Sequence, residues 1–193
     1  MEVFPEAVET ENVIAQGYWQ SERYFHSVAD ELRKEFAVSR LPLTDKNRLV
    51  LLLIENSESV CVHIRRGDYV RNGKTDCPDV YYETGKKYME QQLEHPRFFV
   101  FSDEIAYAKK LQFWPSDTVF VDFNSFAIED FRLMCACKHF VISNSTFSWW
   151  AQYLSDHQGK IVVAPRPWSR KFPSDLEQLN WHTISVFDVG KGK

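Results

Sequence analysis

At 193 residues, with 44% hydrophobic and 15% aromatic side chains, the chain can bury the core of one domain and little more. Its formal net charge of −4 excludes bulk electrostatic binding of nucleic acid, so basic residues that matter must act locally. The four cysteines, Cys61, Cys77, Cys135 and Cys137, show neither disulfide-framework nor zinc-site spacing and read as reduced thiols of a cytoplasmic protein.

Residues 1–16 are acidic and lack both a basic n-region and an apolar stretch, so they are expected to form a poorly ordered lead, not a secretory signal. The segment 17–44 precedes the main domain. A helix is expected over 20–36, where Tyr24, Phe25, Val28, Leu32 and Phe36 recur near helical spacing, and Pro42 ends that unit. Thr44 or Asp45 can cap a short helix carrying Leu49, Leu52 and Leu53. The apolar run 49–54 is too short to cross a bilayer, so the protein is expected to be soluble, at most peripheral to a membrane.

From residue 45 to 187 an alternation is expected. Strand 59–64 leads to an arginine-rich corner and a polar loop holding Gly73 and Pro78; a helix follows over 79–94. Strand 98–101 precedes a helix ending near 112. Strand 118–121 precedes a helix over 126–137, strand 139–143 a helix over 145–155, and strand 160–164 ends at Pro165. Residues 188–193 are a tail. Five short apolar strands separated by helices imply right-handed βαβ units and a Rossmann-like α/β domain, a parallel sheet with flanking helices. Ligands of such sheets sit at the carboxyl ends of the strands. Four of these ends carry polar clusters: His63 to Asp68, Ser102-Asp103-Glu104, Asp122-Phe123-Asn124 and Ser143 to Thr146. They are expected on one rim.

Adjacent residues of an extended segment point opposite ways, so Arg65 can face the cleft while Arg66 faces the scaffold. A guanidinium fork matches a pair of phosphate oxygens. Gly67 lets the backbone turn, and Asp68 either anchors Arg66 or faces the cleft. Ser145 or Thr146 stands where a helix start favours an anion, although a plain serine cap fits as well, with Phe147 and Trp150 in the core. Asp130, early in its helix, is either a dipole partner or a carboxylate that accepts N–H donors from a guanine edge. No P-loop and no G-x-G-x-x-G occurs, and no D-x-D supplies a metal–diphosphate anchor. A diphosphate held by arginine and helix N–H groups needs no metal and no cofactor.

HIRRGDYV, FFVFSDE, D-x-x-L-M-x-x-C-K-H at 130–139, SNSTFSWWAQYL and KIVVAPRPW, in that order, resemble the α-1,2-fucosyltransferases of glycosyltransferase family 11. GYWQSERYF resembles the segment preceding the nucleotide-binding domain in bacterial members, so the resemblance spans about residues 17–184. It implies the donor-binding domain of a GT-B-type enzyme that moves L-fucose from GDP-β-L-fucose to a galactose 2-hydroxyl of a glycan, with inversion and without a metal. By motif matching, Arg65 grips the β-phosphate, His63 lies beside the guanine, Asp130 matches the guanine-binding acid, and Ser145 and Thr146 match the phosphate-binding hydroxyls. Arg66 and Asp103 complete the expected donor-binding set, and Arg65 with Asp68 are the catalytic candidates. The G-G-L-G-N-Q-type loop that opens the family's N-terminal domain does not occur, so most of an acceptor-binding domain is expected to be missing.

Overall fold

The computed structural model describes residues 21–36, 42–71, 77–168 and 180–186. The expected lead at 1–16, the tail at 188–193 and Gly73 lie outside the described residues. Six strands form one parallel sheet: β1 Glu58–Ile64, β2 Pro96–Ser102, β3 Val119–Phe120, β4 His139–Val141, β5 Val162–Arg166 and β6 His182–Ser185, in the spatial order β3-β2-β1-β4-β5-β6. The Rossmann-like α/β architecture expected from the alternation is therefore present. The helices are α1 Ala29–Glu35, α2 Asp45–Glu55, α3 Gly67–Arg71, α4 Asp79–Gln92, α5 Ile105–Ala108, α6 Ala127–Ala136 and α7 Thr146–Leu154.

The two faces of the sheet follow from strand alternation. Cys61, Phe99, Phe101, Phe140 and Ile142 pack with Val50 and Ile54 of α2, Leu133 and Met134 of α6, and Trp149 of α7. Val60, Val62, Ile64, Phe98, Val100 and Val141 face the other way, toward Tyr81, Tyr82 and Met89 of α4 and Ala108 of α5. Gly85 lets α4 lie close to the sheet, since a Cβ there would meet Val141 Cγ1 at 2.8 Å. Burial of aromatic and branched side chains on both faces is the dominant stabilising term of such a sheet.

Four expectations need correction. The sheet has a sixth strand, β6, beyond the five expected. Strand β5 continues through Pro165 instead of ending there. Val163 O accepts from Ile142 N on the β4 side and Arg166 O from Val186 N beyond β6, so Pro165 turns its donorless nitrogen toward the side where β4 has already stopped. The helix expected to reach 112 is the single turn Ile105–Ala108, because the indole Nε1 of Trp114 donates to Ala108 O at 2.9 Å and folds the chain back. The first half of the expected 20–36 helix is two 3₁₀ turns, Glu22–Tyr24 and His26–Val28, before α1.

Candidate active site

The carboxyl ends of β1, β2 and β4 and the start of α6 enclose a cavity of about 590 Å³. His63, Arg65, Asp68, Asp103, Asp130, Ser145 and Thr146 all line it. Seven of the eight expected site residues thus meet in one place. Arg66, the eighth, points away, as the alternation of the strand requires.

Arg65 leaves the end of β1 and is held by two carboxylates. Its Nη2 is ion-paired with Asp68 Oδ1, and its Nη1 with Asp103 Oδ2 at 3.0 Å. The same Asp103 accepts the Arg66 backbone N–H on Oδ1 at 2.9 Å. Asp103 also explains Gly67: a Cβ at that position would stand 2.5 Å from Asp103 Oδ2, so a larger residue would push this carboxylate off the arginine. The expected polar loop begins as the short helix α3, which brings Asp68 back within reach of Arg65. Asp68 therefore serves Arg65, whereas the sequence reading offered it to Arg66. Arg66 is ion-paired through Nε with Glu104 at 3.5 Å, and its guanidinium lies 3.6 Å from the centre of the Tyr107 ring. That is a scaffold position.

His63 is 5% exposed, and its Nδ1 shares a hydrogen bond of 3.0 Å with the fully buried hydroxyl of Ser143. Burial lowers its pKa to about 4, so near neutral pH it is an uncharged imidazole. Asp130 sits in the first turn of α6, where Asn124 Nδ2 donates to its Oδ1 at 2.8 Å and orients the carboxylate. Burial raises its pKa, opposed by the Asn124 hydrogen bond.

Ser145 caps α7: its Oγ accepts from Phe147 N at 3.3 Å, as a serine at this position should. Thr146, which is exposed, and Phe147, the first residues of α7, line the cavity beside it. Helix starts favour an anion through unsatisfied N–H groups and the helix dipole.

Phe147, expected in the core, is partly buried against it and also lines the cavity, 5.7 Å from His63 and 5.1 Å from Phe131 between ring centres. The buried tryptophan of α7 is Trp149, stacked on Tyr153 at 5.0 Å, while Trp150, also expected in the core, is half-buried against it and stacks on Phe25. Tyr69 and Phe126 also line the cavity and were not singled out. Tyr69 gave no signal, because residues after Gly67 read as loop; Phe126 could have been found as the residue one turn before Asp130. Asp122 is absent from the lining and ion-pairs with Lys109, which lowers its pKa.

A cavity of this shape offers one guanidinium beside a helix start, a hydrogen-bonded carboxylate and amide a short way off, and an aromatic wall. The first pair suits phosphate oxygens, the second the N–H edge of a base.

The chain matches the profile of Glycosyl transferase family 11 over residues 8–185. It is 37% identical over 173 residues to the Alpha-1,2-colitosyltransferase of Escherichia coli, an alignment covering 85% of this chain and 57% of that protein. It is 31% identical over 159 residues to Galactoside 2-alpha-L-fucosyltransferase SEC1 of Bos taurus, covering 75% and 43%. Among solved structures, a NodZ alpha-1,6-fucosyltransferase soaked with GDP-fucose aligns with 69% of this chain and 59% of its own, at a TM-score of 0.38 and 14% identity. The chain spans about half the length of the curated relatives it matches.

Proposed function

From a chain that belongs to glycosyl transferase family 11, we propose an enzyme that transfers L-fucose from GDP-β-L-fucose to the 2-hydroxyl of a galactose-containing glycan, with inversion and without a metal ion. The observation that carries this reading is Arg65, fixed by Asp68 and Asp103 in the same cavity as the start of α7 and the Asn124–Asp130 pair. That combination of anion-binding and base-binding groups in one cavity suits a nucleoside diphosphate.

In the transfer, the acceptor hydroxyl oxygen forms a bond to the anomeric carbon as the bond from that carbon to the β-phosphate oxygen breaks. The electron pair of the broken bond goes to the diphosphate, and negative charge grows there. Arg65 and the first turn of α7 stabilise that charge more in the transition state than in the ground state. Asp68, at the edge of the cavity, is the assigned acceptor of the hydroxyl proton. Asp103 keeps Arg65 in place throughout. His63, neutral and tied to Ser143, gives the base a rigid polar wall without adding charge.

The relative named as a colitosyltransferase favours a second donor, a colitosyl nucleotide on the same cavity. The chemistry of the phosphates and base is shared, and only the sugar differs. Among the described residues no helix is long and apolar enough to cross a membrane.

The test is calorimetric titration with GDP in EDTA and in magnesium, followed by assays of GDP release from GDP-fucose and GDP-colitose with a β-galactoside acceptor. GDP is expected to bind equally with either additive, and one donor to release GDP in an acceptor-dependent way. A strict requirement for a divalent ion would overturn the metal-free reading, and absence of GDP binding would overturn the donor site itself.

A further inference from the structure

Phe126 is 71% exposed, the highest value among the large hydrophobic side chains described. The exposed leucines of α2 lie on the outer face of the domain, but Phe126 stands in the lining of the active-site cavity. A lone exposed phenyl ring is ordinary on an outer surface, but in the lining of a cavity it is apolar area that a ligand can cover.

The backbone that carries the ring is held in place. Phe126 immediately precedes α6, its backbone N–H donates to Glu129 Oε2 at 3.3 Å, and its carbonyl accepts from Glu129 N at 3.0 Å. Glu129 Oε1 in turn accepts from Asn47 Nδ2 of α2 at 3.4 Å. The platform is thereby fixed to the scaffold while its side chain stays uncovered. Asp130 follows in the first turn of the helix that Phe126 precedes, and both side chains line the same cavity. The exposed ring and the carboxylate oriented by Asn124 thus face one cavity.

We propose that Phe126 is the stacking platform for the donor's nucleobase, with Asp130 and Asn124 reading the edge of that same base. The inference rests on the donor-site reading above. A purine offers a flat π-face to the ring and N–H groups to a carboxylate in one plane, so the two contacts can form together. Arg65 and the start of α7 then meet the diphosphate. Phe147 differs from Phe126 in being packed against Phe131 and His63, so its truncation would disturb the wall itself.

The experiment is calorimetric titration of the wild type, Phe126→Ala and Phe126→Trp with GDP, with GDP-fucose and with inorganic pyrophosphate as the base-free probe. Phe126→Ala is expected to weaken GDP and GDP-fucose by the same factor, about tenfold, as loss of one base–aromatic stack does. Pyrophosphate affinity is expected to stay unchanged, and Phe126→Trp to restore or exceed wild-type affinity for GDP. Since the ring is exposed, the melting temperature of each variant should match the wild type. GDP affinity within twofold of wild type in Phe126→Ala would overturn the proposal and leave the donor site standing. So would an equal loss for pyrophosphate, which would make Phe126 a support of the cavity, or a loss confined to GDP-fucose, which would place the ring against the sugar. A wild type that binds no GDP would overturn both the platform and the donor site on which it rests.

Discussion

Two residues of the cavity show how much a single side chain's surroundings decide. His63 is a base by type but a neutral hydrogen-bonding wall by position, because burial holds its pKa at about 4 against an ordinary value of 6.5. The unfolded chain takes up this proton as pH falls below about 6.5, and the folded chain resists it until about pH 4. The stability contributed by His63 is thus complete above about pH 6.5 and is lost as pH falls toward 4. His63→Gln should flatten that part of the melting-temperature profile, while the other histidines continue to act in both proteins. An unchanged slope would mean that His63 is protonated in the fold. Asp130 is the second case. Both of its roles were open in the sequence, since a first-turn carboxylate suits a helix dipole as well as a base; Asn124 and the cavity lining favour the base. Asp130→Ala should weaken GDP by about 5- to 150-fold, the cost of unpairing buried donors, and ADP far less. Equal losses for both nucleotides in competition titrations would return it to the dipole role.

Among the elements, α2 separates what periodicity can tell from what it cannot. Leu49, Leu52 and Leu53 mark the segment as helical, and Thr44 caps it as expected, its Oγ1 accepting from Asn47 N at 3.2 Å. The same pattern does not say which apolar stripe meets the sheet. The helix buries Asn47, Val50 and Ile54 and leaves Leu49 64% exposed. Ile54→Ala should therefore cost about 2–5 kcal/mol by the usual scale for fully buried side chains. Leu49→Ala should stay within about 0.5 kcal/mol, a contrast readable from urea unfolding midpoints. Equal costs would mean that another surface covers the outer stripe. The arginine corner carries the same lesson. Alternation along β1 separates Arg65 from Arg66 by sequence alone. The partner of Asp68 was beyond it, because α3 is one turn of helix in a glycine-led segment with no apolar period to reveal it. Strand β6 escaped for a related reason: it is a four-residue edge strand in which only Ile184 is buried.

At the scale of the whole molecule, the convergence of strand ends was the legible part. Polar clusters after β1, β2, β3 and β4 follow apolar strands, and a parallel sheet places all those ends on one rim. The exposed leucines and Phe126 were not legible, because pattern alone cannot tell an apolar residue that meets the core from one that meets a ligand or another surface. The central claim is that this rim holds a nucleoside diphosphate through Arg65. It is tested most directly by titrating the wild type, Arg65→Lys and Arg66→Lys with GDP and GMP in EDTA. Lysine keeps the charge but loses the guanidinium fork. The wild type should prefer GDP over GMP, and Arg65→Lys should lose most of that preference while keeping its affinity for GMP. Arg66→Lys should keep the preference and lower the melting temperature, because it gives up the stack on Tyr107 and weakens the pair with Glu104. A GDP-to-GMP ratio that survives in Arg65→Lys, or that collapses in Arg66→Lys, would contradict the account.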